Sequence, residues 1–105
     1  LAVVLKGNPT VVAEGERLSV NPTGNPALAT GGTGDVLSGA IAALLAAGLS
    51  PFDAARLGVF LHGLAGDLLA EEKEVGLLAR EVAEALPRAR RLLQEGRVPP
   101  AFFPR

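Results

Sequence analysis

Apolar residues follow two rhythms along this chain, a short one over the first twenty residues and a helical one from residue 36 onward. Leu1 to Leu5 is apolar throughout and runs into Lys6-Gly7-Asn8-Pro9-Thr10, which predicts a buried strand ending in a turn. Val11-Val12-Ala13 predicts a second strand. Glu14-Gly15-Glu16 then forms a hairpin-like loop, because glycine takes the left-handed conformation such loops need. Arg17-Leu18-Ser19-Val20-Asn21 alternates with period two, as a half-buried strand does. From Pro22 to Gly34 the density of Pro, Gly and Asn leaves little room for regular structure and predicts a loop.

The second rhythm predicts three helical segments. Val36 to Ala47 places Leu37, Ile41, Leu44 and Leu45 on one stripe, with Gly48 as its stop. Ser50-Pro51-Phe52-Asp53 is a helix start: a Ser cap, Pro in the first turn and an acid three residues on. That helix is expected to bury Leu57, Phe60, Leu61, Leu64 and Leu68. Ala54, Gly58 and Ala65 on its other face are small enough for a neighbour to approach closely. Leu77 to Leu86 predicts a third helix, which Pro87 either ends or follows with a short fourth one through Gln94. Residues 1–97 read as the domain part, and 98–105 as a Pro-rich surface tail. Strands first and helices after give an α/β fold class. A piece of this shape would leave a sheet edge and a helix face without neighbours.

Composition narrows the function classes. At 105 residues the chain is one domain at most. It has no Met, and an apolar strand with no approach segment comes first, so a fragment of a longer chain is expected. A formal charge of −1 gives no reason to expect nucleic acid or an anionic membrane as partner. Zero Cys excludes disulfides and thiolate metal sites and fits a cytoplasmic protein. The longest apolar run, Val36 to Leu49, contains Ser38 and Gly39 and is shorter than the ~20 residues of a membrane span.

Chemistry concentrates at Ala29-Thr30-Gly31-Gly32-Thr33-Gly34-Asp35-Val36-Leu37-Ser38-Gly39. Asp35 is the only ionisable side chain between Arg17 and Asp53, and removing a lone carboxylate from water is costly unless it is paired. The glycines allow close backbone approach to a ligand, and the helix start beyond them supplies N–H groups and a positive dipole end. An anion site beside a carboxylate suits transfer of a phosphoryl group to a hydroxyl. The competing reading is an Asp that only caps its helix. No Walker A motif is present, and Gly31-Gly32-Thr33-Gly34 is not a Rossmann fingerprint.

Lys6-Gly7-Asn8-Pro9-Thr10 stands at a strand's C-terminal end, where open α/β sheets place ligands. Lys6 there can meet a phosphate, or it can be a solvated lysine on an ordinary turn. Asn21-Pro22-Thr23-Gly24-Asn25-Pro26 reads equally as a wall over a nucleotide or as a connector. His62 is the only histidine and has no second ligand-type neighbour, so it predicts packing or support of a site and not a metal. Glu71-Glu72-Lys73-Glu74 and the arginines at 88, 90 and 91 read as solvated helix surfaces.

Taken in order, Val4-Leu5-Lys6-Gly7 with Thr10, Thr23-Gly24-Asn25-Pro26, the glycine turn with Asp35, Leu49-Ser50-Pro51 and Leu61-His62-Gly63-Leu64-Ala65-Gly66-Asp67 resemble the ADP/ATP-dependent NAD(P)H-hydrate dehydratases. The likeness extends to about Arg91. It implies the C-terminal portion of a ribokinase-like three-layer α/β/α domain. It also implies a lyase that phosphorylates the ring hydroxyl of hydrated NADH or NADPH and eliminates phosphate. Carried over by motif, Lys6, Gly7, Asn8, Pro9, Thr10 and Gly34 would bind ADP or ATP. Gly32, Thr33 and Gly34 would stabilise the transferring phosphoryl group, and Asp35 would bind the hydrate and act as general base. Mg²⁺ would accompany the nucleotide in the complete enzyme, a cytoplasmic homo-oligomer, with no metal ligand in this chain. Ala27-Leu28 departs from the Gly-Met of the family pattern. The segments that hold the hydrated ring are absent, so the piece is expected to be inactive alone. Sugar and vitamin-precursor kinases of the same superfamily are the nearest alternative. A further one is a non-catalytic interaction piece.

Overall fold

In the computed structural model, which describes residues 1–28, 31–72 and 78–97, the chain forms three strands followed by three helices. The strands β1 (Ala2–Leu5), β2 (Val11–Glu14) and β3 (Arg17–Val20) make an antiparallel meander in that spatial order. Val4 pairs with Val12 and Val12 with Ser19, while Val3 pairs with Ala13 and Ala13 with Leu18. Alternation therefore sends Val4 and Val12 to one face and Val3, Leu5, Leu18 and Val20 to the other. The first face meets the helices, and Val12 is fully buried there.

The helices are α1 (Thr33–Ala46), α2 (Pro51–Glu72) and α3 (Ala79–Gln94). α2 is central: α1 and α3 pack against it, and it lies against β1 and β2. One core joins Val12 with Leu37, Phe52, Ala55 and Val59. A second joins Leu61, Leu64, Ala65 and Leu68 of α2 with Val82, Ala85 and Ala89 of α3. Gly58 lets the first two helices close up, since a β-carbon there would stand 2.6 Å from Ile41 Cγ1. The small face foreseen at Ala54, Gly58 and Ala65 is buried as expected. Ser50 Oγ accepts the Asp53 N–H at 3.3 Å, and Gly48, at φ 101°, ends α1. Among the described residues no helix is long and apolar enough to cross a membrane.

Several expectations need correction. β1 is not buried: Val3 and Leu5 face outward, because helices cover only one side of the sheet among the described residues. The α1 stripe is incomplete, with Leu37 buried, Ile41 and Leu44 half-buried and Leu45 exposed. Leu57 and Phe60 are likewise only half-buried. Pro87 neither ends the third helix nor opens a fourth. α3 runs through it, because Val82 and Ala85 before it and Ala89 after it pack on the same neighbour. Packing outweighs the missing N–H. Leu78 precedes that helix, its own N–H donating to Glu81 Oε1 at 3.1 Å, and residue 77 lies outside the described residues. Glu71 and Glu72 are exposed, Glu72 pairing with Arg88; Lys73, Glu74 and the 98–105 tail also lie outside the described residues.

Candidate functional site

One cleft of about 770 Å³ gathers the turn after β1, the loop after β3 and the glycine turn before α1. Lys6, Gly7, Asn8 and Thr10 line one side of it, and Gly31 to Asp35 another. Pro9 is exposed and does not line it, although its peptide bond to Asn8 is cis. The turn after β1 is closed locally, with Thr10 Oγ1 donating to the Gly7 carbonyl at 3.1 Å.

The glycine turn is the N-terminus of α1. Gly32 is its cap residue, with φ 89°, a conformation that suits glycine. Asp35 N–H and Val36 N–H both return to the Gly32 carbonyl, at 3.1 and 3.3 Å. The amides of Gly32, Thr33 and Gly34 thus precede the first helical hydrogen bond and stand at the positive end of the helix. Asp35 sits in the first turn and is exposed, which corrects two ideas. It is not a buried carboxylate, and the cap position belongs to Gly32, with no side-chain capping bond. Lys6 reaches the turn from β1: a β-carbon on Gly34 would lie 2.8 Å from Lys6 Nζ. Ammonium and helix end therefore converge on one place, with a carboxylate beside it. Ala29 and Thr30 lie outside the described residues.

α2 forms the back of the cleft. Asn21 Nδ2 donates to the Val59 carbonyl at 3.1 Å, and Thr23 Oγ1 to the Phe60 carbonyl at 2.9 Å. Those carbonyls are reachable because Gly63, one turn on, has no side chain to cover them. A β-carbon on Gly63 would fall 2.2 Å from Thr23 Oγ1 and 2.8 Å from Gly24 N. Gly66 makes similar room for Leu28. Asp67 accepts the Gly24 N–H at 2.9 Å and Asn25 Nδ2 at 2.8 Å. The loop after β3 is therefore a wall fastened to α2. Sequence reasoning gave Asp67 and Gly63 no role of their own. Their signal was the spacing of His62, Gly63, Gly66 and Asp67, which puts all four on one helical face.

His62 lines the cleft too, with Nε2 2.9 Å from the Thr33 carbonyl oxygen. Burial pushes its pKa below the ordinary 6.5; the bond to Thr33 opposes this and the charge of Lys6 adds to it. The imidazole is therefore neutral at pH 7. Among the described residues no group of three His, Cys, Asp or Glu side chains is placed to hold a metal ion.

A sequence profile of the NAD(P)H-hydrate dehydratase family matches residues 1–88. A bifunctional NAD(P)H-hydrate repair enzyme of Thermofilum pendens is 53% identical over 95 residues, covering 89% of this chain and 18% of the relative. An ADP-dependent (S)-NAD(P)H-hydrate dehydratase of Neisseria meningitidis is 50% identical over 86 residues, 79% of this chain and 29% of its own length. The crystal structure of the ADP/ATP-dependent NAD(P)H-hydrate dehydratase of Bacillus subtilis, co-crystallised with ATP and Mg²⁺, superposes with a TM-score of 0.79 at 43% identity. That match covers 86% of this chain and 33% of the other. The chain thus spans under a fifth of the bifunctional relatives and about a third of the single-activity ones. Its fold is a portion of their ribokinase-like α/β/α domain.

Proposed function

The chain belongs to the NAD(P)H-hydrate dehydratase family, and from that premise we propose that it carries the nucleotide and phosphoryl-transfer side of an enzyme that returns hydrated NADH or NADPH to NAD(P)H using ADP or ATP. The observation that carries this reading is the meeting of Lys6 Nζ with the Gly34 end of α1, with Asp35 in the same turn. A place that a β-carbon would fill, beside an ammonium and a helix N-terminus, fits a nucleotide phosphate.

In this reading Lys6, Gly7, Asn8 and Thr10 bind the phosphate and ribose side, with Pro9 shaping the turn from outside. The amides of Gly32, Thr33 and Gly34 hold the transferring phosphoryl group as its charge spreads. Asp35 accepts the proton of the ring hydroxyl while that oxygen bonds to phosphorus and the nucleotide leaves. The carbon–oxygen bond then breaks, phosphate departs with the ring oxygen, and the neighbouring ring carbon gives up a proton to water, which restores the ring double bond. Exposure of Asp35 supports the role, since a base that must meet a second substrate has to be reachable. Mg²⁺ would bring charge neutralisation with the nucleotide. The described residues offer it no ligand set of their own, so none of these steps runs through it.

We take residues 1–97 as the domain part and 98–105 as its tail, in a cytoplasmic homo-oligomer that does not bind nucleic acid. Turnover needs the segments that hold the hydrated ring, and the 105 residues alone would not supply it. The test is to give the protein, at its full natural length, hydrated NADH with ADP or ATP and follow the return of NADH absorbance. Nucleotide consumption only with a sugar or a hydroxymethyl-pyrimidine would sink the dehydratase reading in favour of a kinase.

A further inference from the structure

Thr33 and Gly34 share a peptide plane, and that plane joins His62 to the glycine turn. In a trans peptide the carbonyl of one residue and the N–H of the next point in opposite directions. His62 Nε2 is 2.9 Å from the Thr33 carbonyl oxygen in a buried setting. A carbonyl only accepts, so Nε2 carries the hydrogen and the ring is held in that tautomer. Gripping the oxygen from α2 fixes the tilt of the peptide, and with it the direction of the Gly34 N–H. The same bond draws electron density toward the oxygen and strengthens that N–H as a donor.

We propose that His62 is a positioning residue for nucleotide phosphate: by donating to the Thr33 carbonyl it aims the Gly34 N–H at the phosphate that Lys6 also meets. The proposal rests on the nucleotide reading above and adds a residue to it. In this role His62 acts through the Thr33–Gly34 peptide and not by its own contact with the phosphate. Plain packing would be served as well by an apolar side chain, and a metal role has no partner set among the described residues.

Two substitutions separate this role from space-filling. Gln carries its amide nitrogen about where Nε2 of His stands, whereas the Asn nitrogen falls short of Thr33. In the protein at full natural length, His62→Gln keeps the ADP dissociation constant within about threefold of wild type, and His62→Asn weakens it about tenfold. Adenosine, which has no phosphate, binds all three alike. The ligand-free Gly34 amide resonance moves in His62→Asn and stays in His62→Gln. Equal ADP affinity for both variants, with Gly34 unmoved, overturns the proposal. Should either variant fail to fold, the wild-type His62 ¹⁵N shifts decide: a hydrogen on Nδ1 overturns it, and one on Nε2 upholds it. If wild type binds no ADP, the nucleotide reading falls, and the Gly34 and His62 resonances alone judge the positioning.

Discussion

The ammonium of Lys6 occupies the space into which a side chain on Gly34 would grow, 2.8 Å from where the first carbon would stand. Two elements far apart in sequence, the end of β1 and the start of α1, thus share one small volume.

Gly34→Ala tests that sharing. The atom in the way is the tip of a flexible side chain, so the fold is expected to tolerate the change, with a melting temperature close to wild type. Lys6 would be pushed off the turn. Loss of one charge-assisted contact, about 1.5–3 kcal/mol, predicts ADP binding weaker by roughly 10- to 100-fold. Calorimetric titration checks it, and unchanged affinity would place the phosphate elsewhere.

Gly63→Ala makes the opposite demand. Here the obstacles are Thr23 Oγ1 at 2.2 Å, Thr23 C at 2.7 Å and Gly24 N at 2.8 Å, and backbone cannot step aside cheaply. Overpacking of about 1–3 kcal/mol or more is expected. The measurement is a urea midpoint, and a variant as stable as wild type would contradict the close approach of loop and helix.

Asp35→Asn separates chemistry from stability. An exposed residue that does not cap its helix should change stability by no more than about 0.5 kcal/mol. As general base, its loss should lower turnover of hydrated NADH by about 10² or more, with nucleotide binding retained. A variant with wild-type turnover would remove Asp35 from the mechanism.

His62 sets a pH dependence of stability. Above its ordinary value of 6.5 the imidazole is neutral whether folded or unfolded, and stability does not depend on it. Below that value the unfolded chain takes up the proton first, because burial holds the folded pKa lower. Stability then declines until the folded form is protonated as well. Urea unfolding of wild type at about pH 5 and about pH 8 should show this loss, and His62→Gln should lack that share of it. Identical pH profiles for the two proteins would contradict a depressed His62.

Local signals carried much of the architecture. The Ser50-Pro51 start and the Gly48 stop were legible because capping and turn chemistry act within a few residues. The course of α3 through Pro87 was not, since it depends on Val82, Ala85 and Ala89 finding α2. β1 shows the same limit: five apolar residues in a row cannot say which of them a helix will cover. At the cleft, the glycine turn and Lys6 could be picked out one by one. Their meeting could not, for it is made by the sheet and α1 together. Asp67 was hidden for a related reason: its partners Gly24 and Asn25 lie 43 and 42 residues away.

The wall from Asn21 to Asn25 bears on how a ligand arrives. Its polar groups are bonded to Val59, Phe60 and Asp67 of the same chain and need no ligand to hold them. The ordering entropy that a loose loop would lose at each encounter is met once, during folding. Association should then resemble docking to a fixed surface, with little backbone change in residues 21–25 between free and bound forms.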